Sequence, residues 1–207
     1  MEAAVANNKF VSLTLFLIFA FLLNLSSASS HHRPSPTEFI RTSCRSTRYP
    51  SVCEKSLSSY APSVRHSPRQ LAHAALSVSA DRARAASSFV GRLSSPPAGR
   101  SPRSGRGGGA IRDCLDTLAD SVDRLRRSDR EMRRMGRRGT RRFEWHLGNV
   151  QTWVSAALTD ETTCLDSLSE DSAAGAGARA QIRNRILDVA RVTSNALALV
   201  NHLQGRN

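Results

Sequence analysis

The 207-residue sequence predicts an all-α protein, a small N-terminal helical hairpin followed by an antiparallel four-helix bundle, with two disulfides. Three observations lead there. Apolar residues recur at spacings of three and four along four long segments, the pattern of a helix with one buried face, while few segments alternate as a half-buried strand does. Proline and glycine gather into a few patches that mark joints. Four cysteines, at 44, 53, 114 and 164, follow an apolar leader, and an even count in an exported chain reads as disulfides.

The leader comes first. Met1 to Lys9 is short and polar, residues 10–25 are almost wholly apolar, and Ser26 and Ala28 are small residues suited to cleavage. This reads as a secretory signal over 1–29 with a flexible mature terminus over 30–36. The apolar run is long for a signal and only one lysine precedes it, so a retained anchor is the alternative, but it is short of a usual membrane span and no other segment resembles one. The rest of the chain is long enough for one domain with its own core, expected over 37–204.

Residues 37–60 contain two short helical pieces broken at Arg48-Tyr49-Pro50, with Pro50 suited to a first helical position. Cys44 and Cys53 flank the break, so a bridge between them would staple a hairpin too small to bury much surface alone. The bundle follows over 67–204. Ser67-Pro68-Arg69-Gln70 has the form of a capped helix start, with Gln70 placed to reach back in a capping box. Leu71, Ala74, Ala75, Val78, Ala85, Ala86 and Phe89 then make an apolar stripe expected to end near Gly91. Residues 91–109 read as a flexible basic connection.

A second helix is expected from about Ala110. Its inward positions are Ile111, Cys114, Leu115, Leu118, Val122 and Leu125, and Asp113, Asp116, Asp120 and Asp123 lie outward. Residues 124–142 then hold ten arginines against Asp129 and Glu131, with Gly136 and Gly139 among them, and 126–142 reads as a basic loop with frayed helix at its start. The third helix places Leu147, Val150, Val154, Ala157, Cys164 and Leu168 on one face. Glu161 shares that face, a conflict unless it is paired or near an edge. A break at Thr159-Asp160 is the alternative, but three-and-four spacing on both sides favours one helix. After a turn over 172–178, a fourth helix from Arg179 carries Ile182, Ile186, Val189, Thr193, Ala196, Leu197, Val200 and Leu203. Cys114 and Cys164 both point inward on consecutive helices. Pairing them, together with 44–53, keeps each bridge within one unit, whereas crossed pairings would force the hairpin into the bundle seam. The 114–164 bridge closes a loop worth about 4 kcal/mol in chain entropy.

No catalytic constellation stands out, and no cofactor or metal is expected. The histidines at 31, 32, 66, 73, 146 and 202 lack metal-ligand spacing, the cysteines lack the close pairs of a zinc site, and the segment RSGRGGG has no Walker lysine. The formal net charge is +13 and stays so after the leader, because Glu2 and Lys9 leave together. Such a field draws anionic partners. In an exported chain, acidic polysaccharide is a plainer target than nucleic acid. The candidate contacts are Arg133, Arg134, Arg137, Arg138, Arg141 and Arg142, since a guanidinium grips a carboxylate by two hydrogen bonds. The alternative is a solvated, solubilising surface.

Four stretches carry a family resemblance. CRSTRYPSVC over 44–53 resembles the C-x8-C hairpin of the plant invertase/pectin methylesterase inhibitors. AIRDCLDTLADSVDRL over 110–125 is similar to their third-cysteine helix, VQTWVSAALTDETTCLDSL over 150–168 to their fourth-cysteine helix, and SNALAL over 194–199 to their last helix. The resemblance runs from about Ile40 to Leu203. It implies a bundle behind a hairpin, cysteines paired first to second and third to fourth, and a noncatalytic, extracellular inhibitor of the apoplast. Its partner would be pectin methylesterase, blocked one-to-one at the substrate cleft. In that subfamily the threonine before the fourth cysteine and the acid two places after it lie at the functional face; these correspond to Thr163 and Asp166. Trp153 is either a large, stiff contact or core. The Pro-Lys-Phe element of invertase inhibitors is absent, which sets invertase behind methylesterase as target. A basic pectin-binding wall protein without inhibitory activity is the reading from another class.

Overall fold

The computed structural model describes residues 34–94, 107–170 and 176–205. The leader and residues 30–33 of the expected mature terminus lie outside the described residues, as do 95–106 of the first basic connection and 172–175 of the last turn. From Ser35 onward the described residues form one unit built of seven helices: α1 (Pro36–Cys44), α2 (Pro50–Leu57), α3 (Ala61–Val64), α4 (Pro68–Ser94), α5 (Gly107–Arg134), α6 (Arg141–Glu170) and α7 (Ala176–Asn201).

The hairpin starts at a local cap, where Ser35 Oγ accepts the Glu38 amide at 3.1 Å. Pro50 opens α2 in its first turn, where a missing N–H costs no intrahelical bond. Cys44 and Cys53 are bonded, with Cα atoms 5.6 Å apart. A two-point clamp docks the hairpin on α7: the buried Asn195 side chain accepts from the Tyr49 amide at 3.0 Å and donates to the Tyr49 carbonyl at 2.9 Å. Ser67 caps α4 through the Gln70 amide at 3.2 Å. The reciprocal half of the expected capping box is not made. The Gln70 side chain instead donates to the Ser63 and Val64 carbonyls, tying α4 to α3.

Each long helix packs against its chain neighbours, and α7 closes the ring on α4. Partner numbers rise on one helix as they fall on the next, so every neighbouring pair is antiparallel. His73 meets Asp129, and Gly91 lies against Leu115. Cys114 bonds Cys164 with Cα atoms 4.2 Å apart, and Arg124 meets Asp160. Gln151 reaches Asn201, and Glu161 reaches Thr193. Arg82 pairs with Asp188, while the Arg185 guanidinium covers the Phe89 ring at 4.0 Å. The core between them is mostly alanine, valine and leucine, with Ile40, Leu57 and Val64 of the hairpin joining it.

Three expectations are corrected. Helix α4 does not stop near Gly91 but runs on to Ser94, its glycine packed against α5. Ala85 is exposed, and Ala83 and Val90 take the buried positions instead. The largest correction concerns the expected loop over 126–142. Residues through Arg134 are helical, and the turn is confined to 135–140. Two features sustain the helix: arginine is a good helix former, and acids sit one turn before arginines, giving Asp123–Arg127 at 2.7 Å and the Asp129–Arg133 pair. The inward stripe also continues through Leu125, Ser128, Met132 and Met135, all buried. Arg69 of α4 finishes the helix. Its guanidinium donates to the carbonyls of Met132, Met135 and Gly136 at 3.0, 2.5 and 3.2 Å, satisfying groups that a helix end leaves open. Gly139 turns the chain at φ 76°, a left-handed conformation that glycine adopts without a Cβ clash.

Candidate functional site

Helix α6 organises the candidate site. Its inward residues Leu147, Val150, Val154, Ala157, Glu161, Cys164 and Leu168 alternate spacings of three and four, and none is more than 1% exposed. Glu161 is therefore a seam residue and not an edge one. Its Oε1 accepts the hydroxyl of Ser121 from α5 at 2.8 Å and that of Thr193 from α7 at 3.0 Å. Its Oε2 meets no donor among the described residues. Burial without a cation pushes the carboxyl up to about 8, only partly offset by the two hydroxyls. The neighbouring Asp160 is raised by burial as well, against the pull of Arg124, whose Nε lies 2.7 Å from Oδ2.

The opposite side of α6 is exposed at Thr152, Ser155, Thr159, Thr162, Thr163, Asp166 and Ser169. In a chain with thirty Lys and Arg residues, none lies between 151 and 170. Most hydroxyls of this ridge donate back into the helix. Thr152 bonds Gly148 O at 2.9 Å, Thr159 bonds Ser155 O at 3.2 Å, and Thr163 bonds Thr159 O at 2.9 Å. What remains outward is methyl groups and oxygen lone pairs on a fixed backbone. Thr163 and Asp166 stand three residues apart, so they are neighbours on this ridge. Trp153 stands apart from them. It lies ten residues earlier, about 15 Å along the helix axis, half-buried, with the Arg127 guanidinium over its ring at 5.1 Å.

At the α5–α6 end the expected polyanion contacts divide. Arg133 pairs with Asp129, and Arg134 lies 4.0 Å from Glu131. Arg138 donates to Leu203 O at 2.8 Å, and Arg142 Nε donates to Arg134 O at 3.2 Å. Arg137 and Arg141 are exposed and make no ion pair among the described residues. Glu131 is held below the usual glutamate range by the Asn149 amide at 2.9 Å and by His146 at 2.7 Å. Sequence reasoning missed Trp145, which is 69% exposed. The signal was there: it lies two positions before Leu147, off the inward stripe.

Among the described residues no group of three or more His, Cys, Asp or Glu could hold a metal, and no helix is long and apolar enough to cross a membrane.

Comparison with known proteins agrees with this architecture. Residues 38–199 match the family described as plant invertase/pectin methylesterase inhibitor. Pectinesterase inhibitor 9 of Arabidopsis thaliana is 45% identical over 91% of this chain and 92% of its own length. Pectinesterase inhibitor 11 of the same plant is 40% identical over 93% and 96%. The crystal structure of mutant form A of a pectin methylesterase inhibitor from Arabidopsis superposes with a TM-score of 0.60 at 23% identity, covering 81% of this chain and 98% of that one. That last likeness concerns the fold alone. The stapled hairpin, the closed ring of four helices and a sequence match spanning nearly all of both place this chain in the plant invertase/pectin methylesterase inhibitor family.

Proposed function

We propose that the exported chain is a noncatalytic inhibitor of cell-wall pectin methylesterase, acting in the apoplast as a one-to-one, reversible complex that covers the enzyme's substrate cleft. The observation that carries this reading is the 45% identity to a pectinesterase inhibitor across nine-tenths of both chains. The ridge of α6 supplies the physical means. It is a rigid face fixed by the Cys114–Cys164 bond and by the hydrogen bonds of Glu161 to two other helices. Rigidity lowers the entropy lost on docking, so a few good contacts suffice for affinity. Thr163 and Asp166 are the proposed central contacts, and Trp153, braced by Arg127, the flanking one. No group of the inhibitor needs to react. It excludes the polymer by occupying its place.

The test is an inhibition assay of the purified, oxidised mature chain against plant pectin methylesterases, run in parallel with acid invertase. Saturable inhibition of a methylesterase at one-to-one stoichiometry is the expected result. A chain that inhibits only invertase, or neither enzyme, overturns the reading.

A further inference from the structure

Trp145 has no place in the inhibitor reading. It is the most exposed large apolar side chain among the described residues, 69% accessible against 43% for Leu93. An aromatic ring left in water on a rigid helix is a contact surface waiting for a flat partner. Its surroundings are cationic. Arg141 and Arg142 lie four and three residues before it, hence on the same face of α6. Arg142 is laid against the end of α5 by its bond to the Arg134 carbonyl, and Arg137 and Arg138 occupy the intervening turn. The local acids are largely engaged. Asp129 faces Arg133 and His73, and Glu131 faces His146, Asn149 and Arg134. Glu144 is the one exposed acid between Arg137 and Trp145, against the guanidiniums of Arg137, Arg138, Arg141 and Arg142, so the patch is positive.

We propose that this end of the bundle is a binding site for an acidic polysaccharide built of uronate sugars, with Trp145 stacking on a pyranose ring and Arg137, Arg138, Arg141 and Arg142 taking the carboxylates. The choice of polysaccharide among polyanions rests on the wall-directed role proposed above. The chemistry supports it in two ways. A guanidinium matches a carboxylate by paired hydrogen bonds, which a phosphate-poor wall polymer offers at every unesterified sugar. A lone exposed ring also suits one sugar face, whereas insertion into a membrane surface calls for several apolar residues together, and no second exposed large apolar residue lies in this patch.

The test measures binding of the oxidised mature chain to polygalacturonate, to fully methyl-esterified pectin, to single-stranded DNA and to anionic phospholipid vesicles, each along a salt series. Polygalacturonate should bind best, and methyl-esterified pectin, which has the same backbone without the charge, poorly. Trp145→Ala should weaken polygalacturonate binding about tenfold, the worth of one stacked ring, and Trp145→Phe should restore most of it. Arg137→Ala with Arg141→Ala should weaken it comparably and flatten its salt dependence. Melting curves of these surface variants should match the parent, and their inhibition of methylesterase should persist. Equal binding by all variants, equal binding of charged and esterified polymer, or tighter binding of DNA or vesicles overturns the proposal. Trp145-dependent binding in a chain that inhibits no methylesterase would retain this site while removing the inhibitor reading.

Discussion

Replacing Glu161 with glutamine tests the physics of the seam directly. In the folded chain the carboxyl holds its proton up to about 8, against 4.5 for a solvated glutamate. Below the unfolded value both states are protonated, and Glu161 makes no pH-dependent contribution. As pH rises through that value the unfolded chain releases its proton while the folded chain keeps it. The unfolded state then gains, and stability falls until the folded group also ionises. The fall is about 1.4 kcal/mol per pH unit and about 5 kcal/mol across the whole window. This is the reverse of a salt-bridged carboxylate, which stabilises more as pH rises. Glutamine keeps an acceptor for Ser121 and Thr193 and cannot ionise. Urea unfolding followed by far-ultraviolet circular dichroism, with disulfides intact, should give a parent that weakens steadily from acid to neutral pH. The Glu161→Gln chain should fall less steeply and exceed the parent at neutral pH. Asp160, also raised by burial, and Glu131, lowered by its partners, titrate in both chains, so the difference between the two curves reports Glu161 together with its coupling to Asp160. Parallel curves would refute the buried, proton-holding role. The consequence is that the contribution of Glu161 to stability is greatest under acid conditions.

Replacing Cys114 and Cys164 together with serine should cost about 4 kcal/mol, from the loop of 50 residues the bridge closes, and lower the melting temperature; an unchanged melt would locate the stability elsewhere. Arg69→Ala removes three carbonyl contacts at the end of α5 and should cost about 2 kcal/mol in urea unfolding, with hydrogen exchange speeding first over residues 130–136. Asp166→Arg should leave the melt unchanged, because the side chain is exposed, and weaken methylesterase inhibition about tenfold; full inhibition would remove this acid from the contact.

The helical seams were legible because their residues obey a local rule. Leu147 through Leu168 carry the three-and-four alternation without a gap, and Glu161 announced itself as a conflict within it. Its resolution was not legible. Ser121 and Thr193 lie 40 and 32 residues away, on helices whose relative register no local pattern sets. The end of α5 was misread for a related reason. Its inward stripe passes through Ser121 and Ser128, small polar residues that hide the periodicity, and the excess of arginine drew attention to charge instead of spacing. Ser128 is accommodated because its hydroxyl returns to the Arg124 carbonyl at 3.0 Å, so the seam meets no open donor. Trp145 falls outside the inward stripe, two positions before Leu147, and a single outward aromatic leaves no periodic signal.

Extending α5 to Arg134 changes what the arginines can do. On a loop, each contact with a polyanion would have to offset the freezing of backbone and side chain. On a helix end tied down by Arg69 and a six-residue turn, the backbone share of that loss has already occurred in folding. The same rigidity separates the two proposed surfaces. On one unbroken helix, Trp145 is eight residues from Trp153, about 12 Å along the axis, and 18 from Thr163, about 27 Å. On the two proposals, the α6 ridge around Thr163 and Asp166 would seat on an enzyme while the arginine end holds a strand of acidic sugars.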